Sequence, residues 1–317
     1  MDVKTTGLRR LAHGVSTDPA PMWLLCVLFG LELLWASAHG LTVTQLDEAI
    51  GLVIFPFVAG LVLNALGLFP RAANIAYGLA FWMGLFLTGA MLSYLTAGMR
   101  IELFDARFEA LDEILGFRWM TWFDYQLASP ALRKLLEFAY ATMHPQMVFA
   151  MIYFSRPSRR LQARELWWAA MVALLVTAVL SGVWPALGTY QHYGVWLERA
   201  VHLPHLIALR DGTLATVPML ELRGIITLPS YHSVMAVLLA WVYRRERLLF
   251  PVACCLNAAM LLSVPTHGGH YLVDVIAGCA VAALAIFLVT SFDAWRSRVA
   301  QWFGAGVPAA EGARHAG

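Results

Sequence analysis

Two short stretches of this chain carry residue types that could move a phosphoryl group. The first, residues 263–274, reads Ser-Val-Pro-Thr-His-Gly-Gly-His-Tyr-Leu-Val-Asp and lies between two apolar runs. His270 and Asp274 are four residues apart, so on a helix they share one face. Gly268 and Gly269 precede them, where a helix would begin and leave backbone N–H groups without partners. A glycine turn opening into a helix N-terminus suits an anion such as phosphate. An imidazole oriented by a carboxylate beside such a turn has the parts of a phosphoryl-transfer nucleophile. The plainer alternative is a histidine that merely caps a membrane helix. The second stretch is Pro229-Ser230-Tyr231-His232-Ser233, directly before another apolar run.

The elements that must position these residues are membrane helices. Of the 317 residues, 60% are hydrophobic and only 13% are charged, against about 25% charged in soluble domains. A net charge of +2 gives no argument for a nucleic-acid partner. The four cysteines, Cys26, Cys254, Cys255 and Cys279, all fall in apolar runs without metal-site spacing and read as small core residues. Spans of about 20 apolar residues are expected at 22–38, 49–69, 73–98, 134–155, 165–187, 231–244, 248–265 and 271–292. The fold class is therefore all-α, a polytopic helical bundle of about eight spans.

Basic residues orient the bundle. With the N-terminus inside, the inner segments carry Arg9 and Arg10, Arg71, Arg156 through Arg164, Arg245 and Arg247, and finally Arg296 and Arg298. Two outer segments are too long to be simple connections. Segment 99–133 alternates acidic residues with Phe108, Leu111, Trp119, Trp122 and Phe123, a pattern for a pair of amphipathic helices at the membrane interface. Segment 188–229 holds His192, His202, His205, Arg210 and Arg223. In this topology His232, His270 and Asp274 all reach the outer face, although the span assignment made no use of them.

At this point the chain resembles a known family. Pro229-Ser230-Tyr231-His232 is similar to the P-S-G-H motif of the type 2 phosphatidic acid phosphatase superfamily. Ser263 through Asp274 is similar to its S-R-x5-H-x3-D motif, with serine, histidine and aspartate in register. The aureobasidin-resistance branch, which holds the inositol phosphorylceramide synthase-like transferases, is closer. Its pattern resembles Gly224 to His232 followed by Gly268 to Asp274. The likeness covers roughly residues 75–292 and includes, more loosely, Leu115-Gly116-Phe117 and Tyr140.

The resemblance implies a six-helix catalytic core and a set of roles. His270 would attack phosphorus, Asp274 would orient it, and His232 would protonate the leaving group and later serve as base for water or an alcohol. The chain departs from the family at Val264, where the family has arginine, and its K-x6-R-P motif is missing, because Phe149 stands at the lysine position before Arg156-Pro157. Phosphoryl transfer still needs cations against the equatorial oxygens. Arg210 is the first candidate and Arg223 the second. Ser230 and Ser263 are candidate donors to phosphate, or helix caps; Gly268 and Gly269 complete the expected phosphate-binding set. Asn257 is expected to orient a catalytic group or to join helices, His144 to serve a kink at Pro145, and Glu137 to snorkel. The histidines at 192, 202 and 205 have no carboxylate spacing for a metal, and no cofactor is expected.

The expected organisation is a cytoplasmic segment 1–21, accessory helices over 22–72, a phosphatase or phosphotransferase domain over 73–292 and a disordered cytoplasmic tail over 293–317. The expected partners are a membrane lipid substrate and a water or alcohol acceptor, at the outer face of the plasma (inner) membrane. A transporter is the competing class, but transport predicts repeat symmetry and polar residues deep in the spans; the polar motifs here cluster at one face.

Overall fold

The computed structural model describes residues 20–304; what the sequence leads one to expect of residues 1–19 and 305–317 lies outside the described residues. The helices are α1 (Ala20–Ala38), α2 (Leu46–Ala65), α3 (Pro70–Ala97), α4 (Asp105–Ile114), α5 (Trp119–Ala128), α6 (Pro130–Ala141), α7 (Met143–Phe154), α8 (Arg160–Val183), α9 (Thr189–Tyr193), α10 (Leu203–Asp211), α11 (Tyr231–Val242), α12 (Leu249–His267) and α13 (Leu272–Gly304). Six of them, α1, α2, α3, α8, α12 and α13, are long and apolar enough to cross a membrane. The protein is a multi-pass integral membrane protein with an all-helical fold.

Two expected spans take a different form. The run 134–155 is broken at Thr142 into α6 and α7. Pro145 has no N–H to give the Ala141 carbonyl. Thr142 Oγ1 turns back on the Ala139 carbonyl at 2.6 Å and accepts from Gln146 Nε2 at 3.0 Å. His144 does not serve this break: its ring packs beside Phe86, 5.5 Å between centroids. The other exception is α11, whose 12 residues reach about 18 Å at 1.5 Å per residue, short of a bilayer core of about 30 Å. Ser230 caps its start by accepting the Ser233 amide at 3.4 Å. Val234, Met235, Leu238, Leu239 and Val242 are all buried, so α11 stands in the middle of the bundle among α8, α12 and α13. The tail also differs from expectation, since α13 runs on as helix through residue 304.

One end of the bundle is held by arginines. Arg71 Nε donates to Ser155 Oγ at 3.1 Å, Arg159 pairs with Glu246 at 3.1 Å, and Tyr153 donates to the same carboxylate at 2.6 Å. Asn257 of α12 joins helices by donating to Gln146 Oε1 at 2.8 Å. At the opposite end, strands β1 (Thr42–Thr44) and β2 (Thr216–Pro218) pair in parallel, Val43 opposite Val217. There α4, α5 and residues 184–230 pack together at the mouths of the helices. Trp119, Phe123, Tyr190, Leu203 and Leu206 share a buried cluster in this cap.

Candidate active site

The site is assembled where α11 begins, α12 ends and α13 begins. A sharp reversal joins α12 to α13 with Gly269 at φ 68°, a region that glycine enters without steric cost. The reversal is tied to the cap from several sides. Trp119 Nε1 donates to the Pro265 carbonyl at 2.9 Å, Tyr190 Oη to the Thr266 carbonyl at 2.7 Å, and the Thr189 amide to the Gly269 carbonyl at 2.9 Å. Asp105 accepts the amides of Leu187 and Gly188, both at 2.9 Å, and the Tyr271 hydroxyl at 3.0 Å. The turn that carries His270 is thus fixed by side chains more than 75 residues away.

Within this frame His270 Nδ1 lies 3.2 Å from Asp274 Oδ2, and the same oxygen accepts the Tyr271 amide at 2.9 Å. Asp274 is fully buried and His270 nearly so. Ionised Asp274 is an acceptor only, so Nδ1 carries the proton in this pair and Nε2 keeps its lone pair. His232 is within electrostatic reach of His270. Its ring stacks on Tyr140 with centroids 4.2 Å apart and planes at 12°, and the Tyr140 hydroxyl lies 3.4 Å from His232 Nδ1. A second contact ties α11 to α13: the Ser230 amide donates to the Asp274 carbonyl at 3.1 Å.

The amides of Gly268, His270, Leu272 and Val273 around the glycine turn are engaged within the fold. Asp112 of α4 accepts the amide of Leu272 at 2.7 Å and that of Val273 at 2.8 Å. The amides of Gly268 and His270 return to the carbonyls of Val264 and Pro265 at 2.9 and 3.1 Å. Gly268 has a packing reason to be glycine, since a Cβ there would stand 2.7 Å from His270 Cδ2 and 3.1 Å from the Tyr140 hydroxyl. Burial pushes the Asp112 carboxyl up from the usual range, while the two amides it accepts pull it back.

The two expected serine donors are engaged locally. Ser230 is the cap of α11, and Ser263 donates to the Met260 carbonyl at 2.6 Å. Arg210 Nη2 donates to the Ile101 carbonyl at 2.7 Å while its Nη1 is buried without a hydrogen-bond partner, and the backbone amide of Arg223 donates to the Tyr94 hydroxyl at 3.3 Å. The charges of Arg199 and Arg133 act on His267, opposed by that of Glu137. Glu137 pairs with Arg199 at 3.5 Å. The three outer-loop histidines go to separate partners. His192 meets Glu109 at 2.7 Å and His205 meets Tyr94. His202 lies within reach of the charge of His270.

A family model described as the PAP2 superfamily matches residues 106–288, more than half of the chain. The chain therefore belongs to the PAP2 superfamily, a class of all-helical membrane proteins with phosphatase-type function on lipid-linked phosphates. No curated protein and no solved structure matches it. The matched segment contains His232, His270 and Asp274, and with them Asp112, Trp119, Tyr140 and Tyr190.

Proposed function

We propose that this protein cleaves a lipid-linked phosphate ester through a phosphohistidine, at the extracytoplasmic face of the plasma (inner) membrane. One observation carries the reading. His270 is held by buried Asp274 with the proton on Nδ1, which leaves Nε2 as the nucleophile, and His232 stands within electrostatic reach. In the first half-reaction the Nε2 lone pair forms a bond to phosphorus while the bond from phosphorus to the lipid oxygen breaks. His232, whose imidazolium form the charge of the bound phosphate favours, gives that oxygen its proton. In the second, an acceptor hydroxyl gives a proton to His232 as its oxygen bonds phosphorus and the phosphorus–Nε2 bond breaks, which restores His270. Asp274 stabilises the imidazolium character of His270 throughout.

Arg199 and Arg133, whose charges act on His267 against that of Glu137, are candidates for the positive field that stabilisation of phosphoryl transfer requires. Arg210, whose Nη1 is buried without a hydrogen-bond partner, remains with Gly269 a candidate for holding the headgroup. Sidedness rests on the charge rule: Arg71, Arg159 and Arg245 lie at the end of the bundle opposite the histidines. A lipid enters laterally with its tails in the bilayer. The acceptor is water for a phosphatase, or an alcohol for a transferase of the inositol phosphorylceramide synthase-like kind.

The test is phosphate transfer by purified protein in vesicles containing labelled phosphatidic acid. Wild type should release or transfer the label, and His270→Ala and Asp274→Asn should lose at least about 10²-fold, the scale of a lost acid–base or covalent group. Retention of full activity in His270→Ala would refute the reading.

A further inference from the structure

Tyr140 is faced by a third histidine that the reaction above does not use. His267 closes α12, is nine-tenths buried, and its ring lies 6.4 Å from that of Tyr140 and 6.1 Å from that of Trp196. Its Nδ1 lies 3.3 Å from Thr266 Oγ1. Thr266 Oγ1 gives its own proton to Gln126 Oε1 at 3.0 Å, so toward His267 it can only accept. That contact places the proton of the neutral ring on Nδ1. The other nitrogen, Nε2, is buried and has no hydrogen-bond partner.

A buried acceptor without a donor is costly, and is filled by a group that brings a proton. A phosphate oxygen in its dianion brings none; a hydroxyl does. We propose that His267 is the acceptor-binding residue: Nε2 receives a hydrogen bond from a hydroxyl of a polyhydroxy alcohol, while a second hydroxyl of the same molecule attacks phosphorus on His270. The rings of Trp196 and Tyr140 stand 6.1 and 6.4 Å from the imidazole, with planes at 65° and 36° to it, aromatic surface that suits the C–H groups of a polyol. The attacking hydroxyl still loses its proton to His232, and the phosphorus–Nε2 bond of His270 still breaks, so His267 adds recognition without a further proton step. The inference rests on the phosphohistidine reading and specifies its second substrate.

The experiment supplies labelled phosphatidic acid with myo-inositol or methanol and measures labelled phosphoester formed against inorganic phosphate released. Both products arise from one phosphoenzyme, so their ratio is independent of the first half-reaction. Wild type should favour myo-inositol over methanol at equal concentration. His267→Ala should reduce that preference at least tenfold, with the methanol ratio changed by less than threefold. His267→Gln, whose side-chain oxygen can accept at the place of Nε2, should recover most of the preference. An unchanged preference in His267→Ala, or a wild type that traps phosphate on protein yet transfers it to water alone, would overturn this inference and leave the phosphohistidine intact. A wild type that traps no phosphate would overturn both.

Discussion

Asp112 and Leu272 are 160 residues apart in the chain and are joined by a 2.7 Å hydrogen bond, which makes the carboxylate of one helix the cap of another. The same carboxylate holds the Val273 amide at 2.8 Å, two residues and one residue before Asp274. Cap and catalytic carboxylate are therefore on one rigid turn. Asp112→Ala leaves both amides buried and unpaired, a loss of about 1–3 kcal/mol. Thermal melts in detergent should fall by several degrees, and Asp112→Asn, which keeps one acceptor, should fall less. Equal melts for wild type and Asp112→Ala would show that the cap does not hold the turn.

Gly268 tests the packing around His270 directly. A methyl group at 268 would meet His270 Cδ2 at 2.7 Å and the Val264 carbonyl at 2.8 Å. Displacing an imidazole by an ångström is enough to cost about 10²-fold in rate, so Gly268→Ala should lose about that much activity. Gly30 is the control, since a Cβ there meets nothing within 4 Å. Gly30→Ala should match wild type in the same assay.

His202 gives a pH dependence with a definite sign. Burial, and after it the charge of His270, push its pKa down from 6.5 to about 4, against a backbone hydrogen bond at Leu187 that raises it. A histidine whose folded pKa lies below its unfolded value contributes stability in full above 6.5, and that contribution is lost as pH falls toward 4. The cap should loosen over that window, read as faster amide exchange in α10. His202→Gln should flatten the dependence. A cap that exchanges equally at pH 7.5 and 4.5 in wild type would contradict this assignment.

Much of the site was legible in the sequence because its chemistry is local. The spacing of His270 and Asp274 is a helix property, and the common face of His232 and His270 follows from counting spans. The partners were not legible. Asp112 and Asp105 look like ordinary acids of an amphipathic helix until α13 and residues 187–188 arrive beside them. Tyr140 entered only within a loose likeness, and His267 is one more residue of the glycine stretch until its neighbours define its tautomer. The misplaced free amides illustrate the same limit: spacing shows where a helix starts, but not which distant carboxylate already caps it. The division of 134–155 was in principle readable, since Pro145 removes the donor for Ala141; the apolar composition of the run concealed it.

Sidedness has its own test. In a background without native cysteines, a cysteine at Glu198 should react with an impermeant label added to intact cells. Cysteines at Arg160 and Arg247 should react only after the membrane is opened. The reverse pattern would put the histidines on the cytoplasmic side and remove the extracytoplasmic part of the proposal.

The central claim is that phosphorus is carried on His270, and trapping by an alkaline detergent quench addresses it without relying on turnover. Protein mixed with labelled phosphatidic acid, quenched and digested under alkaline conditions should yield acid-labile phosphate on the peptide containing His270. His270→Ala should trap none with any substrate. His232→Ala should trap little from the lipid, yet recover with an activated aryl phosphate, because a phenolate leaves without the acid help worth about 10²–10⁴-fold. Phosphate trapped in His270→Ala, with none in His232→Ala from either substrate, would contradict the account by exchanging the roles of the two histidines.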